Sequence, residues 1–172
     1  MKESYFESIK YTWNKLHCMS GDACIRRLMT QALLIHALFS VLDAASTLIG
    51  LTQFEHVEEV NMIIGPIVYA LGPWLGMAVY LVLMGVVGIC AYLGHAVLDR
   101  HPSLYETVRS FPLSGLWMIN AVRVSVVLGN LGHIYGVSLL VPGRYDVLIL
   151  YAAGFLYGQA LYKSCGEASR EG

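Results

Sequence analysis

The chain has 172 residues, 56% of them hydrophobic and 13% charged, with a net charge of -1 and a mean hydropathy of +0.59. Soluble domains carry about a quarter charged residues, so this composition excludes a disordered tail and an ordinary water-soluble enzyme. The near-neutral balance gives no basic field for a nucleic-acid partner. What remains is a small integral membrane protein of about one domain.

The first 27 residues contain no apolar signal-peptide core. Tyr5, Ile9, Trp13 and Leu16 recur at helical spacing with lysines between them. That pattern predicts an amphipathic helix on the inner membrane surface, with a frayed basic tail as the plainer alternative. A spanning helix needs about 20 mainly apolar residues, because the bilayer core holds no water for free backbone groups. Four stretches qualify, at residues 28–51, 74–98, 113–136 and 145–162. The expected fold is all-α: a four-span transmembrane bundle over residues 28–163, preceded by the segment 1–27 and followed by a disordered cytoplasmic tail, 164–172.

Residues 52–73 begin polar (TQFEHVEEVN) and turn apolar (MIIGPIVYALGP). The apolar part is too short to cross, and Pro66 and Pro73 limit its length. It reads either as a re-entrant or interfacial half-helix, or as a loop with an early start to the second span. Lys2, Lys10, Lys15, Arg26, Arg27, Arg100, Arg109, Lys163 and Arg170 fall on one side of this topology and only Arg144 on the other. The positive-inside rule then places both termini in the cytoplasm, in the cell membrane.

Cys18 and Cys24 lie on that inner side, Cys90 within a span and Cys165 in the tail. Cytoplasmic thiols stay reduced, and the spacing matches neither a redox pair nor a zinc hook. Four ordinary thiols are expected.

Charges at the bilayer centre cost at least ~2.5–3.5 kcal/mol on insertion scales and usually face the bundle interior. Asp43 in the first span and Arg123 in the third are the two here, at depths that agree within about a helical turn. They form either a salt bridge pinning two helices or part of a buried polar site. Asn120, Arg123, Asn130 and His133 fall on one face of the third span, and His36, Asp43 and Thr47 on one face of the first. Interhelical hydrogen bonding is the simpler role for Asn120 and His36. The outer segment adds Glu55, His56, Glu58, Glu59 and Asn61. Carboxylate, imidazole and amide together suit a divalent cation, with Asp43, Glu59 and His133 as candidate ligands, although no recognised spacing is present. The plainer reading is a solvated outer loop.

The glycine pairs 72/76, 132/136 and 154/158 let helices approach closely, for internal packing or a partner subunit. No cofactor motif is found: the histidines are poorly placed for haem, and no hydrolase, metalloprotease or phosphate-loop pattern occurs.

The run LDAASTLIGL, then EEVN, then GPW after a short apolar segment, resembles an uncharacterised family of small bacterial and archaeal multi-pass membrane proteins, a domain of unknown function. The matching positions are Asp43, Thr47, Glu59, Asn61, Gly72, Pro73, Trp74 and, late in the third span, Asn130. Met62 departs from the family's usual Pro. The basic residue often carried by the family's second span is missing, with Tyr80 near its place, so Arg123 stands in for it or the site is lost. The resemblance implies a topology and no activity.

Three functions fit: a non-enzymatic structural or accessory membrane subunit, in contact with lipid and with a copy of itself or a partner subunit; a cation or small-solute binding or transport protein; and an intramembrane enzyme acting on a lipid-like substrate. In the last, Asp43 or Glu59 serves as acid or base. The first is preferred, for its thin loops and lack of a catalytic motif.

Overall fold

The computed structural model describes residues 21–53, 64–99, 104–135 and 144–168. The expected N-terminal interfacial helix lies outside them. The chain is all-α, with five helices: α1 (Gly21–Gln53), α2 (Ile64–Leu71), α3 (Pro73–Asp99), α4 (Glu106–Tyr135) and α5 (Arg144–Ala168). Stretches within α1, α3 and α4 are long and apolar enough to cross a membrane. The 25 residues of α5 fall outside that group. Only 22–33% of the most apolar window of each of the three is buried inside the protein. Val82, Ile89, Leu128 and Leu34 all face outward. So much exposed apolar surface calls for an apolar surrounding.

Pairwise contacts give the helix directions. Asn120 reaches Ala32, Arg123 reaches His36, and Asn130 reaches Asp43. Residue i of α1 therefore meets about residue i+87 of α4, so the two run parallel. His36 meets Met84 and Asp43 meets Tyr80, which makes α3 antiparallel to α1. Ser110 meets Gln159 and Ser114 faces Gly158, which makes α5 antiparallel to α4.

The short helix after the first span is present as α2. Gly72 ends it with φ 80, a left-handed conformation that L side chains avoid, and its N–H donates to the Val68 carbonyl at 2.8 Å. Pro73 follows as the first residue of α3, where its missing N–H costs nothing and its fixed φ suits a helix. The chain doubles back so sharply that a Cβ at Gly76 would lie 2.8 Å from the Val68 Cα. Three boundaries differ from expectation, the first being that α1 begins at Gly21, seven residues before the apolar run expected from 28. Helix α4 begins at Glu106 and carries Pro112 inside it, with its first turn closed by the Tyr105 carbonyl and Glu106 favoured by the helix dipole. Helix α5 runs through Ser164, where the sequence predicts the start of a disordered tail, to Ala168.

Two apolar clusters bracket the bundle. Ile25, Leu28, Met29, Leu113, Leu116 and Tyr162 fill the end where α1, α4 and α5 meet. Ala44, Ile64, Val68, Met77 and Tyr80 fill the other, where α2 packs over α1 and α3. Cys24 and Cys165 sit in the first cluster joined by a disulfide, which corrects the expectation of free thiols there. Because α5 ends beside the beginning of α1, residues 141 apart in sequence come to 5.7 Å between Cα atoms, within disulfide reach. Local spacing carries no sign of that.

Internal packing accounts for the Gly154/Gly158 pair of α5. A Cβ at Gly158 would lie 2.5 Å from the Ser114 Cα, and one at Gly154 would lie 2.6 Å from the Trp117 carbonyl oxygen. Both contacts are with backbone, which cannot turn aside. Gly158→Ala should therefore cost about 1–3 kcal/mol through overpacking and lower the thermal unfolding midpoint in detergent. Gly85→Ala, with open space around it, should leave the midpoint unchanged.

Candidate functional site

Three helices place polar side chains between the two apolar clusters. On α1, His36, Ser40, Asp43 and Thr47 follow steps of four, three and four and so share one face. Asn120, Arg123 and Asn130 face them from the parallel α4, and Tyr80 and Met84 from the antiparallel α3. Asn120 is 1% exposed, His36 3% and Arg123 6%.

At one end of this face Asn120 Nδ2 donates to the Ala32 carbonyl at 3.0 Å. One turn further on, His36 Nε2 lies 3.0 Å from the Met84 carbonyl oxygen, which only accepts, so Nε2 carries the proton. Its Nδ1 then accepts from an Arg123 N–H at 3.2 Å. The neutral Nε2–H tautomer satisfies both contacts. The same guanidinium nitrogen also faces the Ser40 hydroxyl and, at 3.3 Å, the His36 carbonyl oxygen, so that its two hydrogens are shared among three acceptors, while the other terminal nitrogen reaches the Met84 sulfur. Ser40 passes its own proton to the His36 carbonyl at 2.6 Å. The guanidinium carbon lies 5.9 Å from the centre of the Tyr80 ring, within cation–π range.

Asp43 has a separate set of partners. Tyr80 donates its hydroxyl proton to Oδ2 at 2.5 Å. On the other side, Asn130 Nδ2 lies 3.1 Å from both Ser46 Oγ and Thr47 Oγ1, and 3.5 Å from Asp43 Oδ1. Ser46 uses its proton on the Asp43 backbone carbonyl.

Asp43 and Arg123 do not form a contact ion pair, one of the two roles their sequence positions suggest. In the register of α1 on α4, Arg123 stands level with His36, seven residues from Asp43, which is about 10 Å along the axis. The equal-depth expectation fails because the helix starts, from which depth was counted, are not the points at which the helices align. Tyr80 bridges the gap, with its hydroxyl on the acid and its ring beside the cation.

Among the sequence candidates, the structure brings together Asp43, Thr47, Asn120, Arg123 and Asn130 in one network, with His36. Glu55, His56, Glu58, Glu59 and Asn61 lie outside the described residues, as does the side chain of His133. Among the described residues, no group of three His, Cys, Asp or Glu side chains is placed to hold a metal ion. Sequence reasoning missed Ser40, Ser46 and Met84, and saw Tyr80 only as the occupant of a position where a base was looked for. Ser40 was legible as the residue one turn from His36 on the same face. Met84 was not, because it offers its carbonyl and sulfur as an apolar residue type.

A groove of about 350 Å³ between α1, α4 and α5, lined by Gln31, Leu34, Trp117, Tyr157 and Leu161 among others, involves none of the network residues.

Fold and site together define a helical protein with membrane-like helices and a buried polar network on three of them. The chain belongs to the family of the domain of unknown function DUF5658, whose sequence model matches residues 34–136. That stretch runs from just before His36 to the end of α4 and contains every network contact except the Ala32 carbonyl. No curated protein and no solved structure matches the chain.

The separation of the two charges makes an expectation for charge reversal. Exchanging them, as Asp43→Arg with Arg123→Asp, should fail to restore the stability lost by either single change, because each new charge meets the other's neutral partners. Tyr80→Phe removes a hydrogen bond to a carboxylate and should cost about 1.5–3 kcal/mol. Both are read as unfolding midpoints of purified protein, and full recovery in the exchanged protein would restore the ion-pair account.

Proposed function

We propose that this protein is a small non-enzymatic membrane protein, a structural or accessory subunit, whose polar network fastens three helices in a fixed register. The observation that carries this reading is where the N–H groups of Arg123 go: to a histidine ring, a hydroxyl, a backbone carbonyl and a thioether belonging to α1 and α3, two of the helices packed against α4. Such bonds hold helices together where lipid supplies no hydrophobic drive. The apolar outer faces of α3 and α5 are left for lipid, a second copy or a partner subunit.

Helix α5 is the fourth span in this reading. Its support is its length, about 37 Å for 25 residues against a hydrocarbon core of about 30 Å, and its glycine-lined antiparallel contact with α4. The start of α1 and the end of α5 then face the cytoplasm, on the nine-to-one bias of Lys and Arg. Orientation is set by loop charges as the chain inserts, before Cys24 and Cys165 can meet. Cytoplasmic disulfides are rare, but both cysteines of this one are buried in the first apolar cluster, at 2% exposure each, which shields the bond from reductants. Samples acid-quenched from intact cells, unfolded and alkylated should show the Cys24–Cys165 bond formed, while a reporter fused to the C-terminus reads as cytoplasmic. The same bond with the reporter outside would reverse the orientation.

The structural reading is tested by repacking. Arg123→Met alone leaves His36 Nδ1 without its donor and should reduce the amount of protein in the membrane. His36→Leu with Arg123→Met replaces both by apolar groups, which is often neutral or stabilising at buried charges. The double variant should recover abundance and also complement a deletion strain. Recovered abundance without complementation would show that the side chains have a chemical task and would sink the structural reading.

A further inference from the structure

We propose that the Asp43 end of the network is a binding site for a monovalent, sodium-sized cation, held between α1 and α4. The starting point is a mismatch around Asn130. Three oxygens, Ser46 Oγ, Thr47 Oγ1 and Asp43 Oδ1, converge on one amide nitrogen at 3.1, 3.1 and 3.5 Å. An amide nitrogen has two hydrogens, so one of the three oxygens lacks a proton from it. The one furthest away is the charged carboxylate, which has the greatest need of a donor. Ser46 cannot make up the shortfall, since its proton goes to the Asp43 backbone carbonyl.

The other half of the carboxylate is already committed. Oδ2 takes the Tyr80 proton, which fixes the rotamer and turns Oδ1 toward Ser46, Thr47 and Asn130. Arg123 does not neutralise the acid at contact, because its donors go to His36, Ser40 and Met84. Ionised, Asp43 presents one formal charge, through one oxygen, to a ring of neutral oxygens. In this arrangement the amide N–H₂ of Asn130 occupies the place of a cation.

Turning the Asn130 amide by 180° puts its Oδ1 where Nδ2 now lies. Four oxygens then face one another and repel unless a cation stands between them. With the ion bound, the ligands are Asp43 Oδ1, Ser46 Oγ, Thr47 Oγ1 and Asn130 Oδ1. Sodium is close to calcium in size and bonds oxygen at about 2.4 Å, so α1 and α4 need to shift little, or not at all, if the ion lies off the line of the amide. Charge selects the valence: one carboxylate among neutral oxygens balances a single positive charge, whereas divalent sites usually draw on several acidic ligands. The ion would tie α1 to α4 at the level where Tyr80 already ties α1 to α3, so the site adds to the fastening role proposed above and does not depend on it.

The experiment uses full-length protein purified in detergent without sodium, with unfolding midpoints followed against NaCl, KCl, CaCl₂ and choline chloride at constant ionic strength. A ligand that binds the folded state alone raises the midpoint by mass action. Sodium should give a saturable rise of several degrees that choline does not. Asp43→Asn should abolish the rise. Since that variant also weakens the bond to Tyr80 and can fail to fold, Thr47→Val and Ser46→Ala serve as a second test: both keep Asp43 and Tyr80, and each should raise the sodium concentration for half the effect at least tenfold. The proposal is overturned if sodium and choline act alike, if calcium is more effective than sodium, or if the sodium response is unchanged in Thr47→Val and Ser46→Ala.

Discussion

A guanidinium buried at 6% exposure and without a carboxylate at contact distance sets the terms for the rest of this bundle. Its positive charge cannot be left bare in an apolar surrounding, so acceptors have to be brought to it from the helices around α4. His36 meets the requirement from α1 with both its ring and its carbonyl, and Met84 from α3 with its sulfur. The imidazole can accept only if its other nitrogen donates, and the Met84 carbonyl takes that proton. One cation therefore fixes a tautomer, a rotation of α1 and the height of α3. A slip of any of the three helices by one residue would break several of these bonds together.

The apolar clusters do not supply this specificity. Leucine, methionine and alanine at either end can slide against each other at small cost, and cores of similar volume repack readily. The polar layer between them converts a set of compatible contacts into one register. The disulfide and the α4–α5 glycines act on a different part of the bundle. The close approach of Gly154 and Gly158 to α4 holds α5, which gives the network no side chain.

Much of this was legible from the chain alone. Apolar runs located α1, α3 and α4, and Pro66 and Pro73 bounded a segment that read either as a short half-helix or as a loop, of which the structure has the helix, α2. Helical spacing put His36, Asp43 and Thr47 on one face, and Asn120, Arg123 and Asn130 on another. What spacing cannot supply is the axial offset between two helices. Counting from apparent span ends placed Asp43 and Arg123 at one level, when α1 and α4 align with Arg123 beside His36. The disulfide escaped for a related reason, because it depends on where α1 begins relative to where α5 ends. The continuation of α5 through Ser164 was hidden by a polar sequence, SCGEA, that looks like a tail until its cysteine is seen to be anchored in the core.

Tyr80 shows how one neutral side chain can serve two opposite charges. A base at that position would pair with Asp43 directly, and Arg123 would then stand as a second positive charge close by. A tyrosine gives the acid a hydroxyl proton while offering the guanidinium the negative face of its ring. It serves both charges and carries none, so the layer holds one positive and one negative group with a neutral side chain between them. The cation is surrounded on several sides, whereas the carboxylate has one short bond and one long one. That imbalance is the reason the proposed sodium ion falls at the Asp43 end of the network and not at the Arg123 end.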